Sequence, residues 1–191
     1  MNSNLAYREE PWEERIHGQV VMMSPRPSIF HNFTAANIYS IFDRYLIGKS
    51  CTPFADGTEL YLSEEERYVP DFMLVCDREK LKWNGVHGAP DLVAEVLSPS
   101  TARYDRWHKK RVYEAFGVRE YWIVNPMDLS VEQHVLEEGH YVLRELCQLL
   151  PESILETLSE QERGRLVTEF PCSLYEDLTI RLQEVFKRVI I

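Results

Sequence analysis

Two stretches decide how this chain is read: Val69-Pro70-Asp71-Phe72-Met73-Leu74-Val75 and Asp91-Leu92-Val93-Ala94-Glu95-Val96-Leu97-Ser98-Pro99-Ser100. Each is an apolar run with an acid set into it. A carboxylate in such a run is costly unless something positive meets it. If the runs form neighbouring strands, Asp71 and Glu95 make an oxygen-rich pocket of the kind Mg²⁺ prefers. Alternation puts Asp91, Val93, Glu95 and Leu97 on one strand face. That face must open on a polar cleft, or Glu95 is stranded in the core. Asp91, which follows Pro90 at the strand entrance, reads as a turn or edge hydrogen-bonding residue.

Working outward, Ser98-Pro99-Ser100-Thr101 breaks the second strand and leads into a helix that runs to Phe116 and stops at Gly117. Asp105, Lys109 and Tyr113 lie four apart on one stripe, and Tyr104, His108, Val112 and Phe116 form an adjacent apolar stripe. The expectation is that the apolar stripe packs on the sheet. Lys109 then sits at its border and either snorkels toward the carboxylates or makes a solvated ion pair with Asp105. Lys110 points elsewhere. Tyr113 packs by its ring, with its hydroxyl available for a hydrogen bond. Tyr121–Val124 returns as a strand, so strand, helix and strand make an α/β unit with parallel pairing.

The flanks are simpler. Residues 15–23 read as a short strand or a bent hairpin with Gly18 at the turn, and Ser24-Pro25-Arg26-Pro27-Ser28 as a loop. Phe33, Ala36, Asn37, Ile41 and Tyr45 recur at helical spacing, with the helix closed by Gly48. Thr58–Leu62 reads as a strand and Lys80–Pro90 as a loop. Val131–Leu136 and Tyr141–Leu146 form a hairpin around Glu137-Glu138-Gly139-His140. The C-terminus, from Ile180, reads as a short strand feeding an amphipathic helix with Leu182, Val185, Phe186 and Val189. His31, at the start of the first helix, reads as a cap or surface residue, with contact to phosphate or metal at the edge of the site as the alternative. Glu14 is left out of the main site, which it could join as a third carboxylate only if the N-terminal strand folds back over the sheet.

The 191 residues carry 21 basic and 31 acidic side chains, a formal charge of −10. This argues against broad, sequence-independent duplex binding, which needs clustered cations, but not against a local basic cleft. Cys51, Cys76, Cys147 and Cys172 form no CxxC pair, so a zinc site is not indicated and Cys76 reads as a buried thiol. With no apolar leader and no membrane-length apolar run, a reduced, cytoplasmic protein is the default expectation.

Taken in order, Val69-Pro70-Asp71, Pro90 to Ser100, Asp105 to Tyr113 and Gly117 to Pro126 resemble the Uma2 family (DUF820), within the PD-(D/E)xK nuclease superfamily. Gly18, Met22-Met23-Ser24-Pro25 and His31 fit the same pattern. The resemblance covers most of the chain. It implies one domain over 1–191, with an α/β, restriction-endonuclease-like fold: a mixed curved sheet flanked by helices, with additional β structure. It further implies a metal-dependent endonuclease acting on nucleic acid, expected to be DNA, with homodimers common. The superfamily lysine would fall at Leu97, which carries no charge, and the resemblance moves its role to Lys109. The implied site is then Asp71, Glu95 and Lys109 for catalysis. Asp71, Glu95 and the Val96 carbonyl would hold Mg²⁺ or Mn²⁺. The competing readings are a catalytically silent nucleic-acid-binding module that keeps the fold and a dimeric structural or regulatory protein.

Overall fold

The computed structural model describes residues 13–22, 27–99 and 102–189. Ser24, Pro25, Arg26, Met23 and the Ser100-Thr101 break lie outside them. The chain opens with a hairpin, β1 (Glu13–Ile16) and β2 (Gln19–Met22), followed by helix α1 (Ile29–Tyr45). Strands β3 (Thr52–Ala55), β4 (Leu60–Tyr61), β5 (Arg67–Tyr68), β6 (Phe72–Val75), β7 (Leu81–Lys82), β8 (Gly85–His87) and β9 (Leu92–Val96) come next. A helix over 102–116 joins β9 to β10 (Glu120–Asn125). The long hairpin of β11 (Ser130–Glu137) and β12 (His140–Gln148) follows, and β13 (Glu169–Pro171) with β14 (Thr179–Arg181) closes the chain before a short helix, Leu182–Val185.

The main sheet has the order β12-β11-β10-β9-β6-β3, and a second sheet has the order β2-β1-β5-β4-β8-β7. As expected of a strand–helix–strand unit, β9 and β10 are parallel, with Glu95 opposite Ile123. Every other pairing in the main sheet is antiparallel, so the fold is a mixed α/β one. β6 and β9 pair as Phe72↔Ala94, Met73↔Val93 and Leu74↔Leu92. Extended by one step, that register sets Asp71 opposite Glu95. Since facing residues of paired strands share a sheet face, the two acids stand on the same side.

The two faces of the main sheet differ. One packs Phe72, Leu74, Leu92, Ala94, Val96, Trp122 and Val124 against α1 and the C-terminal elements. The other packs Met73, Val75, Val93, Leu97, Tyr121 and Ile123 against the 102–116 helix and the second sheet. Asp71 and Glu95 belong to this second face.

Several sequence expectations shift. The Lys80–Pro90 loop contains the β7–β8 hairpin. At Gly85 (φ 141°) a Cβ would come within 2.4 Å of the Glu59 carbonyl oxygen, so only glycine lets β8 lie beside β4 there. β3 was not anticipated. α1 turns a different stripe inward, His31, Thr34, Ala35, Ile38, Ile41 and Phe42, and leaves Ala36 exposed. Cys76 is not a free thiol: the β3–β6 register, Thr52↔Val75, sets Cys51 opposite it, and the two form a disulfide. The cysteines therefore lend no support to a reduced environment. No helix among the described residues is long and apolar enough to cross a membrane.

Candidate active site

Asp71 is fixed from two sides. Its Oδ2 accepts the Val96 N–H at 2.7 Å, which ties it to the strand that carries Glu95. Its Oδ1 lies 3.2 Å from His31 Nε2. His31 is reached because Ser28 caps α1 by accepting the His31 N–H, and the first turn then points the buried imidazole at the sheet. Burial alone would lower the His31 pKa, but the hydrogen bond and charge of Asp71 raise it above its ordinary value. His31 is thus neither a surface residue nor only a cap; it orients Asp71. The sequence signal for this was only its place at the helix start.

Glu95 is 2% exposed. Its Oε1 accepts from Lys109 Nζ at 3.1 Å and from the Tyr113 hydroxyl at 2.8 Å. Lys109 Nζ also lies 3.0 Å from Glu14 Oε1 and 3.7 Å from Asp105 Oδ1. Glu14 arrives from β1, where the hairpin folds back on β5 and its Oε1 accepts the Val69 N–H at 3.3 Å. The expectation that Glu14 lies outside the site is therefore corrected. Asp91 does what its position at the strand entrance suggests: Oδ2 accepts the Cys76 N–H at 2.8 Å, and Oδ1 is 3.4 Å from Arg119.

The 102–116 helix is turned differently from its sequence reading. Asp105, Lys109 and Tyr113 are buried; of the apolar stripe Val112 is buried as expected, whereas Tyr104 and His108 are half-buried and Phe116 is exposed. Lys109 is enclosed rather than snorkelling. Two features account for this. Asp105–Lys109 is a π-helical turn between the α-helical segments Ala102–Tyr104 and Lys110–Phe116, and such a turn sets its flanking residues at a different angle from that of a regular α-helix. The Tyr121 hydroxyl donates to the Asp105 carbonyl, pinning that turn to β10. Charges then satisfy one another inside, so polarity no longer marks the outer face.

Burial pushes Glu95 well above the usual carboxylate range; Lys109 opposes this, and Asp71, Asp105 and Glu14 add to it. Burial alone would lower Lys109, but Glu95, Glu14, Asp105 and Asp71 outweigh it and hold the ammonium well above the ordinary lysine value. Asp56 is also raised, by burial and then by Asp71. One fixed cation thus stands among more carboxylates than it can neutralise.

Those carboxylates are hard oxygen donors. Among the described residues no group of three or more His, Cys, Asp or Glu is arranged to hold a metal ion. The facing pair Asp71 and Glu95 fits an ion that keeps several waters, which is the habit of Mg²⁺.

The chain matches the model of the Uma2 family, described as "Putative restriction endonuclease", over residues 4–168. Two uncharacterized proteins of Synechocystis sp. are similar. One, slr1290, is 28% identical over 142 residues, 69% of this chain and 74% of the relative. The other, sll1609, is 27% identical over 134 residues, 66% of this chain and 75% of the relative. The fold is similar to that of a protein from Anabaena variabilis ATCC 29413 solved as a "putative nuclease belonging to DUF820". The TM-score is 0.68, the identity 17%, and the likeness covers 94% of this chain and 92% of that one.

Proposed function

This chain belongs to the Uma2 family, and we propose that it is a metal-dependent endonuclease that hydrolyses phosphodiester bonds in nucleic acid, with DNA as the substrate. The observation that carries the reading is the facing pair Asp71 and Glu95 with Lys109 Nζ 3.1 Å from Glu95. Asp71, Glu95 and the Val96 carbonyl would hold Mg²⁺ or Mn²⁺. When bound, such an ion supplies Lewis-acid polarisation of a phosphoryl oxygen and lowers the pKa of water.

The remaining roles fall to the chain's own groups. Lys109, held as a cation by Glu14, Glu95 and Asp105, provides fixed positive charge where negative charge develops on the phosphoryl group. Its raised pKa makes it a poor proton acceptor, so it orients and stabilises rather than acting as general base. Tyr113 fixes the Glu95 oxygen that faces Lys109, and His31 fixes Asp71. Val142, Leu143 and Leu146, exposed on the sheet-edge strand β12, support association with a second copy of the chain.

The test is cleavage of supercoiled DNA, linear DNA, single-stranded DNA and RNA, with Mg²⁺ and Mn²⁺ supplied separately. The parent should cut, and Glu95→Gln should lose at least about 100-fold in rate while remaining folded. Asp71→Asn and Glu95→Gln should also weaken Mn²⁺ binding in a direct titration. A parent that neither cleaves nor binds the ion would refute the reading, as would activity that survives Glu95→Gln unchanged.

A further inference from the structure

The face of the 102–116 helix opposite Lys109 has a different chemistry. Trp107 is 71% exposed there. It lies between two depressions, of about 430 Å³ and about 370 Å³, and both are also lined by Arg111. The wall of the larger one is aromatic and fixed. His108 stacks on Tyr104 at 4.9 Å, and His17 meets the His108 ring edge-on at 4.9 Å. His17 is in turn held by Glu66, with Nδ1 2.8 Å from Oε1. Phe116 and Val112 complete the apolar part. Among the described residues, His108 Nε2 is buried without a hydrogen-bond partner.

The charges of this face are unequal in their commitments. Its acids are taken: Glu66 by His17 and the Tyr68 hydroxyl, Glu132 by Arg106 at 2.8 Å, and Glu114 by the Tyr141 N–H. Lys110 and Arg111, which line these depressions, make no salt bridge among the described residues. On a chain with a net charge of −10, uncommitted cations around an exposed indole and a flat-walled hollow form a local exception.

We propose that this face seats an unpaired base of a nucleic-acid strand, stacked on Trp107 at the mouth of the larger depression, with its phosphate on Arg111. The inference rests on the nuclease reading for its choice of ligand and deepens it by naming a single-stranded or locally unpaired substrate. An aromatic platform beside uncommitted cations is what strand binding without base reading requires. A duplex keeps its bases stacked inside and offers Trp107 nothing flat. The volume of the larger depression lies within the range of about 300–1,000 Å³ typical of small-molecule pockets. A strand held there lies about one helix diameter, ~10–12 Å, from Lys109.

The test is fluorescence anisotropy with a fluorescein-labelled DNA single strand of about 16 nucleotides and the matching duplex, both in EDTA so that no cleavage intervenes. The parent should bind the single strand more tightly than the duplex. Trp107→Ala should weaken single-strand binding about tenfold, and Trp107→Phe should restore most of it. Trp83→Ala, which removes a fully exposed indole elsewhere, should leave binding unchanged. No single-strand binding by the parent, or equal affinity in the parent and Trp107→Ala, overturns the proposal. Cleavage in Mg²⁺ without Trp107-dependent binding sinks the base seat and leaves the nuclease reading standing. Trp107-dependent binding by a parent that neither cleaves nor binds Mn²⁺ does the reverse.

Discussion

Glu95 and Glu120 sit on adjacent parallel strands, β9 and β10, and both are buried, 2% and 0% exposed. They face opposite sides of the same sheet, and their partners differ in kind. Glu120 accepts from Trp122 Nε1–H at 2.6 Å, from the Gln133 amide at 2.7 Å, and from the N–H and hydroxyl of Ser173. The Cys172 thiol adds a further contact at 3.8 Å; all of these donors are neutral, and they spread over both oxygens. Glu95 has a lysine and a phenol on one oxygen and three other acids close enough to raise its pKa. A buried carboxylate is therefore not by itself the mark of a site. One surrounded by neutral donors stitches the C-terminal segment to the sheet. One crowded by like charges around a single cation is the arrangement the proposed metal site requires.

The largest expected effect comes from emptying the centre of the crowded cluster. Lys109→Met leaves Glu14, Glu95 and Asp105 buried without their shared cation, and should cost about 3–5 kcal/mol in chemical denaturation. Adding Glu95→Gln should recover part of that loss, because one stranded charge is removed. A Lys109→Met protein as stable as the parent would break the account of the inner helix stripe. Glu120→Ala comes next. It strips the acceptor from several buried donors and should cost about 2–3 kcal/mol. Residual cleavage per folded molecule should be unaffected.

Glu95→Gln sharpens the contrast. Glutamine keeps the size of Glu95 and an oxygen that can accept from Tyr113, while Lys109 keeps Glu14 and Asp105. Stability should move by no more than about 1 kcal/mol in either direction while activity collapses. A large loss of stability would make Glu95 a structural residue of the same kind as Glu120.

How much of this was legible depended on the length and kind of the signal. The runs Phe72–Val75 and Leu92–Val96 are apolar on both faces, and they paired as neighbours. The acids inside them met because a shared register needs only the correct strand pair. The β11–β12 hairpin was readable from its Glu138-Gly139 turn, where both residues take positive φ. β7 and β8 have two and three residues, too few to show alternation. The helix phase failed because charges that pair with one another can be buried, so the stripe Asp105, Lys109 and Tyr113, aligned as its spacing indicates, faces inward. Glu14, His31 and the Cys51–Cys76 bridge depend on segments far apart in sequence meeting in space, which no local period encodes.

The smallest effect belongs to a third carboxylate, Glu132, which lies between the two extremes. On β11 it is 22% exposed at the side chain and meets Arg106 at 2.8 Å and His134 at 3.4 Å. The His134 hydrogen bond and then Arg106, against the opposing effect of burial, bring its pKa down from 4.5 to about 2. A lowered folded-state value means that the stabilisation is present above the ordinary carboxylate range and is lost as pH falls toward about 2. For a pair partly open to solvent it should amount to on the order of 1 kcal/mol. Melting temperatures of the parent and Glu132→Gln should therefore differ most near neutral pH and converge in acid. A difference that stays constant or widens on acidification would show that the ionised carboxylate is not what Arg106 and His134 hold. Convergence would place Glu132 apart from both buried acids: a charge matched by charge at the sheet's margin, with Arg106 as its committed partner.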